Sequence, residues 1–114
     1  MTRAAYVAAL LQTYRRLPGR TRTLHPGDRR LASELDRRHV PLAIARAALL
    51  LGAARRACRP STAPPLPPIR SLAYFLPIIA ELTASPPDPA YLDYLERRFT
   101  TGEPNWLPTR NSPD

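Results

Sequence analysis

The sequence predicts an all-α fold, a small bundle of four to five short helices. Three observations carry the prediction. Apolar residues recur at helical spacing in five segments, proline or glycine punctuates the gaps between them, and no segment alternates apolar and polar residues as a half-buried strand would. A chain of 114 residues holds one domain with a modest core. Residues 1–99 are expected to form that domain, and residues 100–114 a disordered tail.

The first helix is expected over residues 2–17, with Thr2 as N-cap. Tyr6, Leu10, Tyr14 and Leu17, with Val7 and Leu11 beside them, form one broad apolar stripe. Pro18-Gly19 ends it, and a basic loop carrying Arg20 and Arg22 follows. The second helix is expected over residues 26–39. Pro26 suits its first turn and Asp28 its positive N-terminal end. Leu31 and Leu35 give it only a narrow apolar contact, so it must lean on a neighbour. The third helix is expected over residues 41–57, opened by Pro41. Leu42, Ile44, Ala45, Ala48, Leu49, Leu51 and Gly52 cover most of its circumference, the pattern of a central helix. Ala45, Ala48 and Gly52 leave room for a close partner. The short link around His39-Val40 suggests a helix–tight turn–helix unit with the second and third helices antiparallel.

Residues 59–68 hold five prolines in ten and read as an extended linker of polyproline II character inside the domain. Pro64-Pro65-Leu66-Pro67 fits a PxxP pattern, read first as a strap packed on its own domain. The fourth helix is expected over residues 71–84, capped by Ser71. Leu72, Phe75, Ile79 and Leu82 share a face, adjoined by Tyr74 and Ile78. Pro77 lacks the backbone donor a helix interior needs, so the helix should kink or restart there. The fifth helix is expected over residues 88–99, with Asp88 as cap, Pro89 first, and Tyr91, Leu92, Leu95 and Phe99 as its stripe. In the tail, Pro104, Pro108 and Pro113 follow no period, and Trp106 is the residue able to dock back.

Several function classes find no support. The longest uncharged segment, residues 4–14, is far short of the ~20 apolar residues of a membrane span. The N-terminus is amphipathic and lacks a small-residue cleavage site, so a cytoplasmic location is expected. The single cysteine, Cys58, forms no intramolecular disulfide and no Cys-pair zinc site. His25 and His39 stand apart from any carboxylate cluster, and the four glycines form no phosphate-cradling loop. No metal or other cofactor is expected. Cys58 lies near Arg55, Arg56 and Arg59 but lacks a base and an orienting group. Asp93 and Glu96 adjoin Arg97 and Arg98 and read as a solvated face. The chain is expected to be non-enzymatic.

Charge is the strongest global signal. All 17 basic residues are arginine. Residues 1–59 carry 13 arginines against three acids, a net +10, whereas residues 60–114 carry four against six, a net −2. GC-rich coding would account for arginine over lysine but not for this asymmetry, which suits a polyanion partner. Arg20 and Arg22 form a loop arm, Arg29, Arg30, Arg37 and Arg38 lie on the second helix, and Arg55, Arg56 and Arg59 end the third. An antiparallel pair would join them into one positive face. Guanidinium groups bind phosphate bidentately, and each phosphate neutralised releases a counterion. Side chains suited to reading base edges are scarce; the second helix offers only Ser33. That favours backbone contacts, or a single strand stacked on Tyr74 or Tyr91. The expected partner is nucleic acid, DNA before RNA. The alternative is a protein-interaction module, an adaptor or homodimer built on the apolar third helix.

One pattern extends the nucleic-acid reading. A basic helix, a tight turn with Val40-Pro41-Leu42, an apolar helix ending in arginine, a linker and then Pro68-Ile69-Arg70-Ser71 leading into a helix resembles the C-terminal helical module of DnaD-type primosome proteins and some plasmid or phage replication initiators. The resemblance covers residues 29–82. The family carries a Tyr-x-x-x-Ile-x-x-x-Trp pattern linked to DNA binding. Tyr74 and Ile78 match its first two positions, Leu82 stands in place of the Trp, and Ser71 stands where Asn is usual. The resemblance implies an accessory role in DNA replication or mobile-element maintenance.

Overall fold

Five α-helices and one 3₁₀ turn follow one another along the chain: α1 (Arg3–Arg15), α2 (Asp28–Arg37), α3 (Leu42–Ala57), the turn Leu72–Phe75, α4 (Leu76–Ala84) and α5 (Pro89–Thr100). The computed structural model describes residues 1–57 and 59–100, and for Glu96, Arg98, Phe99 and Thr100 the backbone alone. The expectations for Cys58, the Phe99 stripe position, the Asp93–Glu96 pair and residues 101–114 lie outside the described residues. Among those residues no strand forms; one isolated parallel bridge joins Arg20 and Ile69.

Local chemistry sets the helix ends. Thr2 Oγ1 accepts the Ala5 N–H at 3.1 Å and caps α1. α2 stops at Arg37 because His39 adopts φ 62°, with His39 N donating to Asp36 O and Val40 N donating to Leu35 O. These two bonds are a Schellman ending, a left-handed closure that glycine usually supplies. The fourth segment does restart at its proline. A 3₁₀ turn runs to Phe75, and α4 begins with Pro77 in its first turn, where a missing N–H costs nothing.

α3 is central. It packs against α1, α4, α5 and the 3₁₀ turn, and Ala45, Ala48, Leu49, Leu50 and Ala53 are buried. The α1 stripe is buried as a whole, from Tyr6 to Leu17. The antiparallel pairing of α2 with α3 does not form; α2 packs chiefly on α1. The reason lies in the stripes. α2 buries only Asp28, Ala32 and Leu35, and the wide α1 face covers them. The Tyr6 hydroxyl also donates to Val40 O at 2.9 Å, fastening the turn after α2 to α1. α3 is therefore the centre of the core, and most of its apolar residues are used within the fold.

The small residues of α3 serve this packing. A Cβ built at Gly52 would lie 2.7 Å from Phe75 Cε1 and 2.8 Å from Ile78 Cδ1. The strap, residues 59–68, is held along its length. Arg59 Nη2 donates to Pro64 O and Arg56 Nη2 to Pro67 O, while Pro64 to Pro68 stay exposed. Residues before proline are confined to extended geometry, so this strap is stiff without sheet partners. It ends at Ile69, buried, whose N–H donates to Gly19 O and whose carbonyl accepts from Thr21 N, both at 2.8 Å.

Candidate nucleic-acid interface

Four of the residues singled out by sequence converge on one cleft. Arg55, Arg56 and Arg59 from the end of α3 and Tyr74 from the 3₁₀ turn line it, with Gly52, Leu66 and Ile78. Its volume is about 350 Å³, at the small end of ligand sites (~300–1,000 Å³). The Arg56 guanidinium lies 5.6 Å from the Tyr74 ring centroid, a cation–π contact. The Tyr74 ring meets Phe75 edge-on at 5.0 Å, which fixes it while leaving it 42% exposed. Arg56 and Arg59 each give a donor to a strap carbonyl, and no carboxylate of the described residues pairs with them. Their charges therefore remain available in the cleft. Arg55 differs, holding the Glu81 carboxylate bidentately at 3.1 and 2.8 Å. Those bonds draw the Glu81 carboxyl below its ordinary value and push the Arg55 guanidinium up.

The remaining predicted arginines divide into three kinds. Arg37 and Arg38 share Glu34, at 3.0 and 2.9 Å, so this end of α2 keeps one net positive charge from the three groups. Arg20 is structural. Its Nε and Nη2 donate to Arg15 O, the carbonyl end of α1, and its guanidinium lies 5.0 Å over the Tyr14 ring. The loop arm thus reduces to Arg22. Arg22, Arg29 and Arg30 are exposed, and among the described residues no hydrogen bond or ion pair engages their side chains. With α2 on α1, these groups do not form the single long α2–α3 face.

Sequence reasoning missed Arg70, Leu66 and Glu81. Arg70 sits in the acidic half of the chain, so composition hides it; only the bridge at Ile69 brings it beside Arg22. Leu66 and Glu81 enter through tertiary contacts with no local signal.

Asp28 orders this region. It is 1% exposed, and its carboxylate accepts from His25 N at 3.0 Å and Leu72 N at 2.9 Å. It does the capping expected of Ser71, whose side chain makes no cap bond. Burial, and then the Asp28 charge, push the Tyr14 hydroxyl up, and Arg20 opposes them. No group of metal-ligating side chains occurs among the described residues, and no helix there is long and apolar enough to cross a membrane. No family model matches the chain, and neither the curated proteins nor the solved structures contain a match to it.

Proposed function

We propose that the chain is a non-enzymatic nucleic-acid-binding accessory protein that grips the phosphate backbone through arginine. The observation that carries this reading is the convergence of Arg55, Arg56, Arg59 and Tyr74 on one open cleft. Guanidinium forks suit phosphate, and an exposed ring beside them suits an unstacked base. The uncompensated Arg22, Arg29 and Arg30 add to the attraction. The resemblance to the DnaD-type module, whose patterned Tyr74 and Ile78 both line the cleft, supports DNA as the ligand and replication or mobile-element maintenance as the setting.

The test is fluorescence anisotropy with single-stranded and duplex oligonucleotides at ~50 and ~200 mM salt, where binding should weaken about 10-fold or more. Absent binding at the lower salt overturns the reading. So does binding unchanged when Arg56 and Arg59 are replaced together.

A second reading, a protein-interaction module, is favoured by a mostly apolar groove of about 500 Å³ between the end of α2 and α4. Leu35, Val40, Leu76 and Ile79 line it, with Arg38 at its edge. Sedimentation showing a dimer without nucleic acid would favour that reading.

A further inference from the structure

Arg70 gains a role from the fold. Thr21 N donates to Ile69 O and Ile69 N to Gly19 O, so two extended segments run parallel on backbones roughly 5 Å apart. The bridge pairs Arg20 with Ile69, so Arg70 stands level with Thr21 and the backbone of Arg22 follows one residue on. The Asp28 carboxylate, bonded to Leu72 N, brings the first turn of α2 to the same place, and Arg29 comes with it. All three arginines are exposed, and among the described residues no hydrogen bond or ion pair engages their side chains. Asp28 is buried, with both oxygens occupied by backbone amides. Three positive charges carried on neighbouring backbone segments favour an anion over this part of the surface.

The arginine cluster also continues from the cleft. Arg56, which lines the cleft, lies against Gly19, where an added Cβ would sit 3.4 Å from its Nε. Gly19 O is the acceptor for Ile69 N, one residue before Arg70. Arg56 thus reaches from the cleft to Gly19, the backbone that holds Ile69 beside Arg70.

We infer that Arg22, Arg29 and Arg70 form a second phosphate site, over which a nucleic-acid backbone held in the Tyr74 cleft continues. The inference rests on the nucleic-acid reading above and extends its footprint beyond the cleft.

The test is a salt titration of binding to labelled oligothymidylate with three proteins: wild type, Arg70→Gln and Arg97→Gln. Arg97 is also exposed, with no partner among the described residues, but it lies on α5, which packs on α3. The two substitutions remove the same charge from different places. Arg70→Gln should reduce the steepness of log K against log salt by about 0.7, the increment of one single-strand phosphate contact, and Arg97→Gln should leave it unchanged. Equal slopes for Arg70→Gln and Arg97→Gln, with wild type binding, overturn the second site alone. A wild-type protein that binds no oligothymidylate at ~50 mM salt overturns this site together with the reading beneath it.

Discussion

Asp28 Oδ1 accepts the backbone N–H of Leu72 at 2.9 Å, across 44 residues of chain. The other oxygen takes His25 N–H at 3.0 Å. One buried side chain thus ends the loop before α2 and starts the 3₁₀ turn that presents Tyr74.

Asp28→Ala strands the buried Leu72 amide and leaves the part-buried His25 amide to water. An unmet buried donor costs about 1–3 kcal/mol, and a loss of about that size is expected. Urea denaturation would show it as a lower midpoint. An unchanged midpoint would mean that water satisfies both amides and that Asp28 does not organise the region.

A Cβ at Gly52 would lie 2.7 Å from a Phe75 ring carbon. Alanine at 52 gains about 1 kcal/mol of helix propensity, but overpacking costs about 1–3 kcal/mol. Gly52→Ala should therefore destabilise the wild type. In a Phe75→Leu background the same change should turn neutral or stabilising. A double-mutant cycle by chemical denaturation checks this, and additivity would refute the contact.

His39 is the only described non-glycine residue at positive φ, at 62°. A left-handed residue with a Cβ costs about 1–2 kcal/mol. Glycine removes that cost and adds about 0.4–1 kcal/mol of unfolded-state entropy. His39→Gly should gain roughly 0.5–1 kcal/mol, read as a raised denaturation midpoint. A loss of stability would instead give the imidazole a contact that holds the turn.

These residues mark how far the sequence could be read. Helix spacing exposes the α1 stripe, the centrality of α3 and the restart at Pro77, because each depends on residues within a few turns. The pairing of α2 with α1 does not follow from spacing. A short link suggests an antiparallel neighbour, whereas the Tyr6–Val40 bond and the broad α1 stripe decide it through contacts 34 residues apart. The site divides in the same way. Arg55, Arg56 and Arg59 cluster in sequence and remain together in the cleft. Arg20 leaves the set because its donors turn to the Arg15 carbonyl, and Arg70 joins Arg22 and Arg29 only through the bridge and the Asp28 bonds.

Tyr6 gives the fold a pH limit. Burial, with the Asp36 charge adding to it, raises its hydroxyl from 10.0 to about 12. The folded state thus favours the protonated phenol, which donates to Val40 O. Its contribution is complete below pH 10 and falls away as pH rises to about 12. Tyr6→Phe should cost about 0.5–1.5 kcal/mol at neutral pH and flatten this alkaline decline. Denaturation midpoints across the alkaline range test it; a decline of equal steepness in the variant would assign the effect elsewhere.

Arg20 and Arg22 are neighbours with opposite duties, and paired substitutions separate them. Arg20 closes α1 through Arg15 O and covers Tyr14, so Arg20→Ala should lower stability, by about 1–2 kcal/mol for the lost hydrogen bonds and cation–π contact. Arg22 engages nothing in the fold, so Arg22→Ala should leave the denaturation midpoint unchanged. In oligonucleotide titrations Arg22→Ala should reduce the salt slope by about 0.7–0.9, whereas Arg20→Ala should leave it intact at temperatures where the variant stays folded. The reverse pattern would make Arg20 the phosphate ligand. Its bonds to α1 would then have to break when nucleic acid binds, because the guanidinium that now closes the helix would be drawn to the phosphate instead.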